Sequence, residues 1–261
     1  MKKYLLVSLL TIFAIAFLAA CGTSDSTSGG GEEAAGDKKV LKMGTSADFP
    51  PFETIDEQTG EYVGFDIELT KYIADQLGYE LEIDNMDFGG LISALQSERV
   101  DFVASGMSAT NERKESVDFS IEYHKSGEMF VTLKDSDIKS FEDLNGKTLG
   151  VQLGTIQEEG AKKIQEDDLK DLKITPLNKA PELIQELKAG RIDAVYLDKT
   201  VALGFINELD LAGFDDPTES SPGMAIAFPK GSELVEEFNK VLEEMKENGE
   251  LEKLEKEWIE E

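Results

Sequence analysis

Arg113 closes the stretch SGMSATNER (105–113), which follows an apolar strand expected over Val100–Ala104. Ser105, Gly106, Met107 and Ser108 form a turn of small residues, and Ser108 and Thr110 are cap-type residues ahead of a short polar helix. A glycine that lets backbone approach, hydroxyl donors, free N–H groups and a guanidinium one turn on make an anion cradle. A carboxylate or a phosphate suits it; an ordinary strand-turn-helix with a surface arginine is the alternative. A second group of opposite sign, Asp198, follows an apolar strand over Ile192–Leu197. Facing one another, Arg113 and Asp198 would hold a ligand with both an anionic and a cationic end, such as a free amino acid. The chain has one histidine and one cysteine, which speaks against a catalytic triad, a histidine-rich metal site or a cysteine zinc site. No cofactor or metal is expected.

The elements that must position these residues alternate. Strands are expected over Val40–Thr45, Glu80–Ile83, Val100–Ala104, Glu128–Leu133, Thr148–Gln152, Leu172–Thr175, Ile192–Leu197 and Met224–Phe228. Helices are expected over Asp66–Leu77 (stopped by Gly78), Gly90–Ser97, Phe141–Leu144, Ile156–Gln165, Pro181–Lys188, Thr200–Glu208, Glu233–Lys246 and Glu250–Ile259. Such alternation means an α/β fold with mainly parallel sheets, which bind ligands beyond the carboxyl ends of their strands.

An internal likeness divides the chain. Leu91-Ile92-x-x-Leu95-x-x-x-Arg99-Val100-Asp101 aligns without a gap on Leu183-Ile184-x-x-Leu187-x-x-x-Arg191-Ile192-Asp193. The separation is too long for a solenoid repeat. Two similar lobes explain it; a chance likeness of two helix-turn-strand units is the alternative.

Residues 1–20 read as a secretory signal peptide, with Lys2 and Lys3 ahead of an apolar run, and they end at Leu18-Ala19-Ala20-Cys21. That ending resembles a bacterial lipobox, so Cys21 is the expected site of lipid attachment. Residues 22–39 are polar and Gly/Ser-rich, a flexible tether spanning roughly 20–25 Å. The net charge of −28 speaks against nucleic acid and against adsorption to anionic lipid.

The ordered motifs GTSADFPPFE (44–53), GFDIEL (64–69), DFGGLISAL (87–95), SGMSATNER (105–113), VDFS (117–120), GKTLGVQLGTIQEE (146–159) and NGELEKL (248–254) go further. From Val40 onward the chain resembles the substrate-binding lipoproteins of bacterial polar-amino-acid ABC importers, most closely the arginine-binding members. The resemblance implies a two-lobed periplasmic-binding-protein fold of type II. Each lobe would be a mixed, mainly parallel sheet flanked by helices, and two crossovers near Tyr123–Glu128 and Glu219–Gly223 would join them. Lobe one would be 40–125 plus 222–261, and lobe two 126–221.

By the same resemblance Arg113 forks onto the ligand α-carboxylate, Ser108 bridges carboxylate and ammonium, and Ser105, Gly106 and Met107 line the turn. Backbone N–H groups at Thr155 and Ile156 also hold the carboxylate. Asp198 takes the α-ammonium, Phe49 and Phe88 sandwich the ligand side chain, and Gln152 and Gln157 face it. Many relatives carry an aspartate where this chain has Ser46, so the position that reads the side chain is here a serine; Asp48, Glu53 and Asp87 are neighbours that could supply a charge.

The implied function is extracytoplasmic capture of a polar, basic amino acid, arginine first. A monomer, lipid-anchored to the outer face of the cell membrane, would deliver it by hinge closure to an ABC permease and its ATPase. Glutamine, lysine, histidine or cystine are alternative ligands. A non-transport amino-acid sensor and a dehydratase-type enzyme on the same fold are alternative functions. His124 reads as a hinge or surface histidine, and Trp258 as the residue that packs the terminal helix onto lobe one.

Overall fold

In the computed structural model, residues 39–217 and 221–259 are described. The expected signal peptide, the Cys21 lipidation site, the tether up to residue 38 and part of the second expected crossover lie outside the described residues. Two five-stranded sheets organise the rest. The first runs Glu80–Asn85, Val40–Thr45, Phe102–Val103, Ala227–Pro229, Val117–Phe119. The second runs Leu211–Asp215, Glu128–Leu133, Ala194–Asp198, Thr148–Gln152, Lys173–Leu177.

In each sheet three neighbouring strands are parallel, and one strand runs antiparallel to both of its neighbours: Ala227–Pro229 in the first, Glu128–Leu133 in the second. The reason is topological. The parallel strands run toward the space between the sheets, whereas each antiparallel strand begins where the chain arrives from the other sheet and therefore runs away from it. The two passages lie side by side: Tyr123 donates its N–H to the Met224 carbonyl at 2.9 Å, and Met224 returns one to His124 at 2.8 Å.

Local chemistry explains most boundaries. Val40–Thr45 alternates before burying its last three residues. The helix Phe65–Gln76 buries Phe65, Ile67, Leu69 and Ile73 at helical spacing, and it ends where Gly78 takes φ +78°. Ala180–Lys188 carries Pro181 in its first turn, where the missing N–H is harmless. Four strands escape the sequence pattern. The hairpin Thr54–Ile55/Tyr62–Val63 pairs only two residues a side. Val117–Phe119 is three residues long, with Asp118 in its middle bonded to Lys230 and the Gly231 N–H. Leu211–Asp215 contains Gly213, where a Cβ would come within 2.8 Å of the Phe130 carbonyl, so its apolar alternation is broken by a close backbone approach. The last expected strand is shorter than its apolar run: Met224 makes only single-residue bridges, to Ser108 and His124, and regular pairing begins at Ala227.

Candidate functional site

The cradle forms on the first sheet's side. Past Phe102–Val103 the chain turns through Gly106, whose φ is +53° and whose Cα faces the Phe49 ring, so a side chain there would meet that ring at 3.1 Å. The helix carrying Arg113 is only Arg113–Ser116, and neither Ser108 nor Thr110 is its N-cap residue, which is Glu112; the Thr110 hydroxyl accepts the Arg113 N–H at 3.1 Å from the turn before it. Ser108 is freed to line the cavity. The Arg113 side chain is buried, at 8% exposure. It donates to the Ser108 carbonyl at 2.9 Å and to the Gly154 carbonyl at 3.1 Å. The Phe88 ring stacks on it, with Cζ 5.4 Å from the centroid. No described carboxylate forms an ion pair with it. Burial lowers its pKa against the more distant Glu159 and Glu112, yet a guanidinium stays charged. A buried cation held only by carbonyls and an aromatic face calls for an anion.

The second sheet's side supplies the complement. Thr148–Gln152 leads through Gly154 into the helix Ile156–Asp167, whose N-cap is Thr155; its hydroxyl accepts the Glu158 N–H at 3.2 Å. First-turn N–H groups at Ile156 and Gln157 have no partner within the helix and face a positive dipole end. Asp198 ends its strand and caps the next helix, Lys199–Leu209, accepting the Thr200 N–H at 2.8 Å. It is 2% exposed. Burial pushes its pKa up to about 6 in spite of those hydrogen bonds, and no described lysine or arginine pairs with it.

These groups line one cavity with about 330 Å³ of space between the atoms, part of it continuous with solvent. Its wall brings together ten of the expected residues: Phe49, Phe88, Gly106, Ser108, Arg113, Gln152, Thr155, Ile156, Gln157 and Asp198. Two hydrogen bonds cross it from one side to the other, Arg113 to Gly154 and Gln152 Nε2 to Asp48 Oδ1 at 3.0 Å. At Gly154, φ +79°, a Cβ would stand 2.8 Å from Gly89 Cα, so the two backbones meet there directly.

Three expected residues do not line the cavity. Met107 is fully buried in the core cluster of Leu91, Leu95 and Val117, because the turn points its side chain inward. Ser46 and Ser105 stand behind the wall: the Ser46 N–H donates to Ser105 Oγ at 3.0 Å, and Ser105 Oγ donates to Glu53 at 2.8 Å. His124 packs against the Phe52 and Phe65 rings, with Nδ1 3.6 Å from Glu255, and is not in the cavity wall.

Two residues were not anticipated. Met224 lines the cavity from the second passage between sheets; a methionine in an apolar run carries no signal of that. Glu128 is 4% exposed and receives the Gln157 amide at 2.6 Å. Burial first, and then the Asp198 charge, push its pKa up to about 8. Its place opposite Asp198 in the strand register is invisible without the pairing.

Residues 41–261 match the bacterial extracellular solute-binding proteins, family 3. The arginine-binding extracellular protein ArtP of Bacillus subtilis (strain 168) is 48% identical over 262 residues, covering 99% of this chain and 98% of that one. An ancestral arginine-binding protein solved with arginine superposes with a TM-score of 0.80 at 44% identity, over 85% of this chain and 98% of that one. An ancestral arginine-binding protein solved with glutamine gives 0.79 at 44% identity, over 86% and 99%.

Proposed function

This chain belongs to the bacterial extracellular solute-binding proteins of family 3, and we propose that it captures a free polar L-amino acid, arginine first, outside the cytoplasm for an ABC importer. One observation carries the reading. A buried guanidinium and a buried carboxylate, neither paired with an opposite charge among the described residues, line the same cavity from opposite sheets. A zwitterion compensates both: its carboxylate takes the fork of Arg113 with the N–H groups after Thr155, and its ammonium takes Asp198.

The side-chain end fits a hydrogen-bond donor. Gln152 Nε2 is committed to Asp48 Oδ1 and the Asn178 carbonyl, both at 3.0 Å. Both partners are acceptors, so the amide orientation is fixed and its carbonyl is left to receive a donor. A guanidinium meets that demand and gains from the Phe49 face. Glutamine is the second reading, since its terminal amide also donates and Ser46 places no carboxylate at that end. Capture without turnover is part of this proposal: the charged groups of the wall, Arg113 and Asp198, are assigned to the two poles of the ligand.

On this reading 40–125 with 222–261 forms one lobe, 126–221 forms the other, and the lobes hinge at the paired passages around Met224 and close on the ligand. The Arg113–Gly154 and Gln152–Asp48 bonds are then contacts of the closed form. Signal cleavage before Cys21 and lipid attachment there would hold a monomer at the outer face of the cell membrane, where it delivers its ligand to the permease of an ABC importer and its ATPase. Among the described residues no helix is long and apolar enough to cross a membrane. A thermal-shift screen of the twenty amino acids, followed by competition calorimetry, tests the proposal. Arginine should raise the melting temperature most, since ligand at 100 times Kd adds about 2.7 kcal/mol. No shift with any amino acid would refute the function; tighter binding of glutamine or cystine would refute arginine.

A further inference from the structure

Behind the cradle, two acidic side chains meet with no exposure to solvent. Glu53 and Asp66 are both 0% exposed. One oxygen of each is committed to the turn. Glu53 Oε1 accepts the Ser105 hydroxyl at 2.8 Å, and Asp66 Oδ2 accepts the Gly106 N–H at 2.8 Å and the Tyr123 hydroxyl at 2.7 Å. The remaining oxygens, Glu53 Oε2 and Asp66 Oδ1, are buried and receive no donor from the other described residues. The two carboxyl groups are bonded to consecutive residues of one turn, Ser105 and Gly106, which sets them side by side, close enough for the Asp66 charge to act on Glu53. The groups around them do not help: Asp48 comes from the same loop, Tyr123 from the first passage and Asp198 from the other sheet. His124, beyond the Phe52 and Phe65 rings, is engaged with Glu255. Among the described residues no lysine or arginine reaches the pair. Two carboxylates cannot both be ionised in dry contact; a single proton between them satisfies both orphaned oxygens.

We propose that Glu53 and Asp66 share one proton, and that this proton holds the Ser105–Gly106 turn in the shape that receives the ligand's anionic end. Neither residue lines the cavity, so both are positioning residues, and their role rests on the amino-acid reading of the site. Burial and the neighbouring Asp66 charge put Glu53 well above the usual carboxylate range, and burial puts Asp66 at about 6. The proton is therefore kept at neutral pH and lost as pH rises. Its loss sets two buried charges against each other beneath Gly106.

Glu53→Gln tests this, because its amide can accept from Ser105 and donate to Asp66 but has no proton to lose. Calorimetry with L-arginine should give affinities within about threefold at about pH 7 for the parent and E53Q, while Glu53→Ala loses at least about tenfold. Between about pH 7 and 9 the parent should lose at least about threefold more affinity than E53Q, a difference that cancels the ligand's own titration. Superimposable pH curves would overturn the positioning role. Infrared spectra taken without ligand provide an independent reading. The parent-minus-E53Q difference near neutral pH should contain the carbonyl stretch of a protonated carboxyl, and its absence would overturn the shared proton. That band together with no arginine binding would instead sink the ligand assignment and leave the shared proton standing.

Discussion

In the first sheet the Asp101 carboxylate accepts the Lys42 N–H at 2.7 Å, while the Asp101 N–H donates to the Lys42 carbonyl at 2.8 Å. In the second sheet Asp193 does the same to Thr148, at 2.8 Å for both bonds. Two residues further along each partner strand stands a glycine, Gly44 or Gly150, packed under matching side chains: Leu91 and Val100 in one case, Leu183 and Ile192 in the other. The left-handed residue of each turn also corresponds, Glu98 at φ +55° and Gly190 at φ +69°. The likeness of Leu91–Asp101 to Leu183–Asp193 is thus a likeness of structure. Beyond the strand ends it stops. One strand runs into the Ser105–Gly106 turn and Arg113, the other into Asp198 and the helix it caps. Residues that lock strand to strand recur, and residues that line the cavity do not, so the same platform presents a positive pole on one side and a negative pole on the other.

The poles carry the largest predicted effects. Arg113→Ala should weaken arginine binding by about 2–5 kcal/mol, since the ligand carboxylate would be buried without its partner; calorimetry checks this, and unchanged affinity would remove Arg113 from the site. Asp198→Asn should cost a similar amount of binding but act oppositely on the ligand-free protein. The Asp198 pKa is raised to about 6 by burial. Between the unfolded carboxylate value and about 6 the folded state binds more protons, so this group's contribution to stability falls as pH rises through that window. The Asp198→Asn change removes the buried charge and keeps an oxygen that caps the helix. At neutral pH the ligand-free melting temperature should therefore hold or rise while arginine binding weakens. In the parent, affinity should fall below about pH 6 by about tenfold per pH unit as Asp198 takes up its proton.

The two glycines separate next. At Gly150 an added Cβ would stand 2.5 Å from Ile192 Cδ1 and 2.9 Å from Leu183 Cδ2, whereas at Gly44 the nearest atoms are at 3.0, 3.2 and 3.4 Å. Gly150→Ala should destabilise by about 1–3 kcal/mol through overpacking, and Gly44→Ala by less than about 1 kcal/mol. Urea unfolding of the two variants side by side would show it; equal midpoints would mean that the second platform relaxes as readily as the first.

How much of this was legible in the sequence follows the same division. The platform was readable because its signals are local: apolar spacing in Leu91, Leu95, Leu183 and Leu187, and a polar turn before each strand. Arg113 and Asp198 stood out as charged residues just past apolar strands. What stayed hidden depends on pairing across the chain. Met107 looks like a turn residue until its side chain is seen in the core. Glu128 looks like the exposed start of a strand until the register sets it opposite Asp198. Phe88 is expected on the ligand; what the structure shows is its ring over Arg113, a contact that no spacing encodes.

A last predicted effect, of the order of a single exposed hydrogen bond, probes the platform's symmetry. Asp101 and Asp193 each accept a backbone N–H near the start of a neighbouring parallel strand, that of Lys42 in one sheet and of Thr148 in the other, where water reaches the bond. An aspartate acceptor at such a site contributes about 1 kcal/mol, because water replaces some of the lost bond. Asp101→Ala and Asp193→Ala should therefore lower stability by nearly equal amounts. Since the two sites share no partner, the double variant should lose the sum of the two within about 0.5 kcal/mol. Asp101 is the less exposed of the pair, so any inequality should make its replacement the costlier. A much larger loss at Asp193 would mean that the second strap has acquired a duty the first lacks, and that the two platforms are not interchangeable.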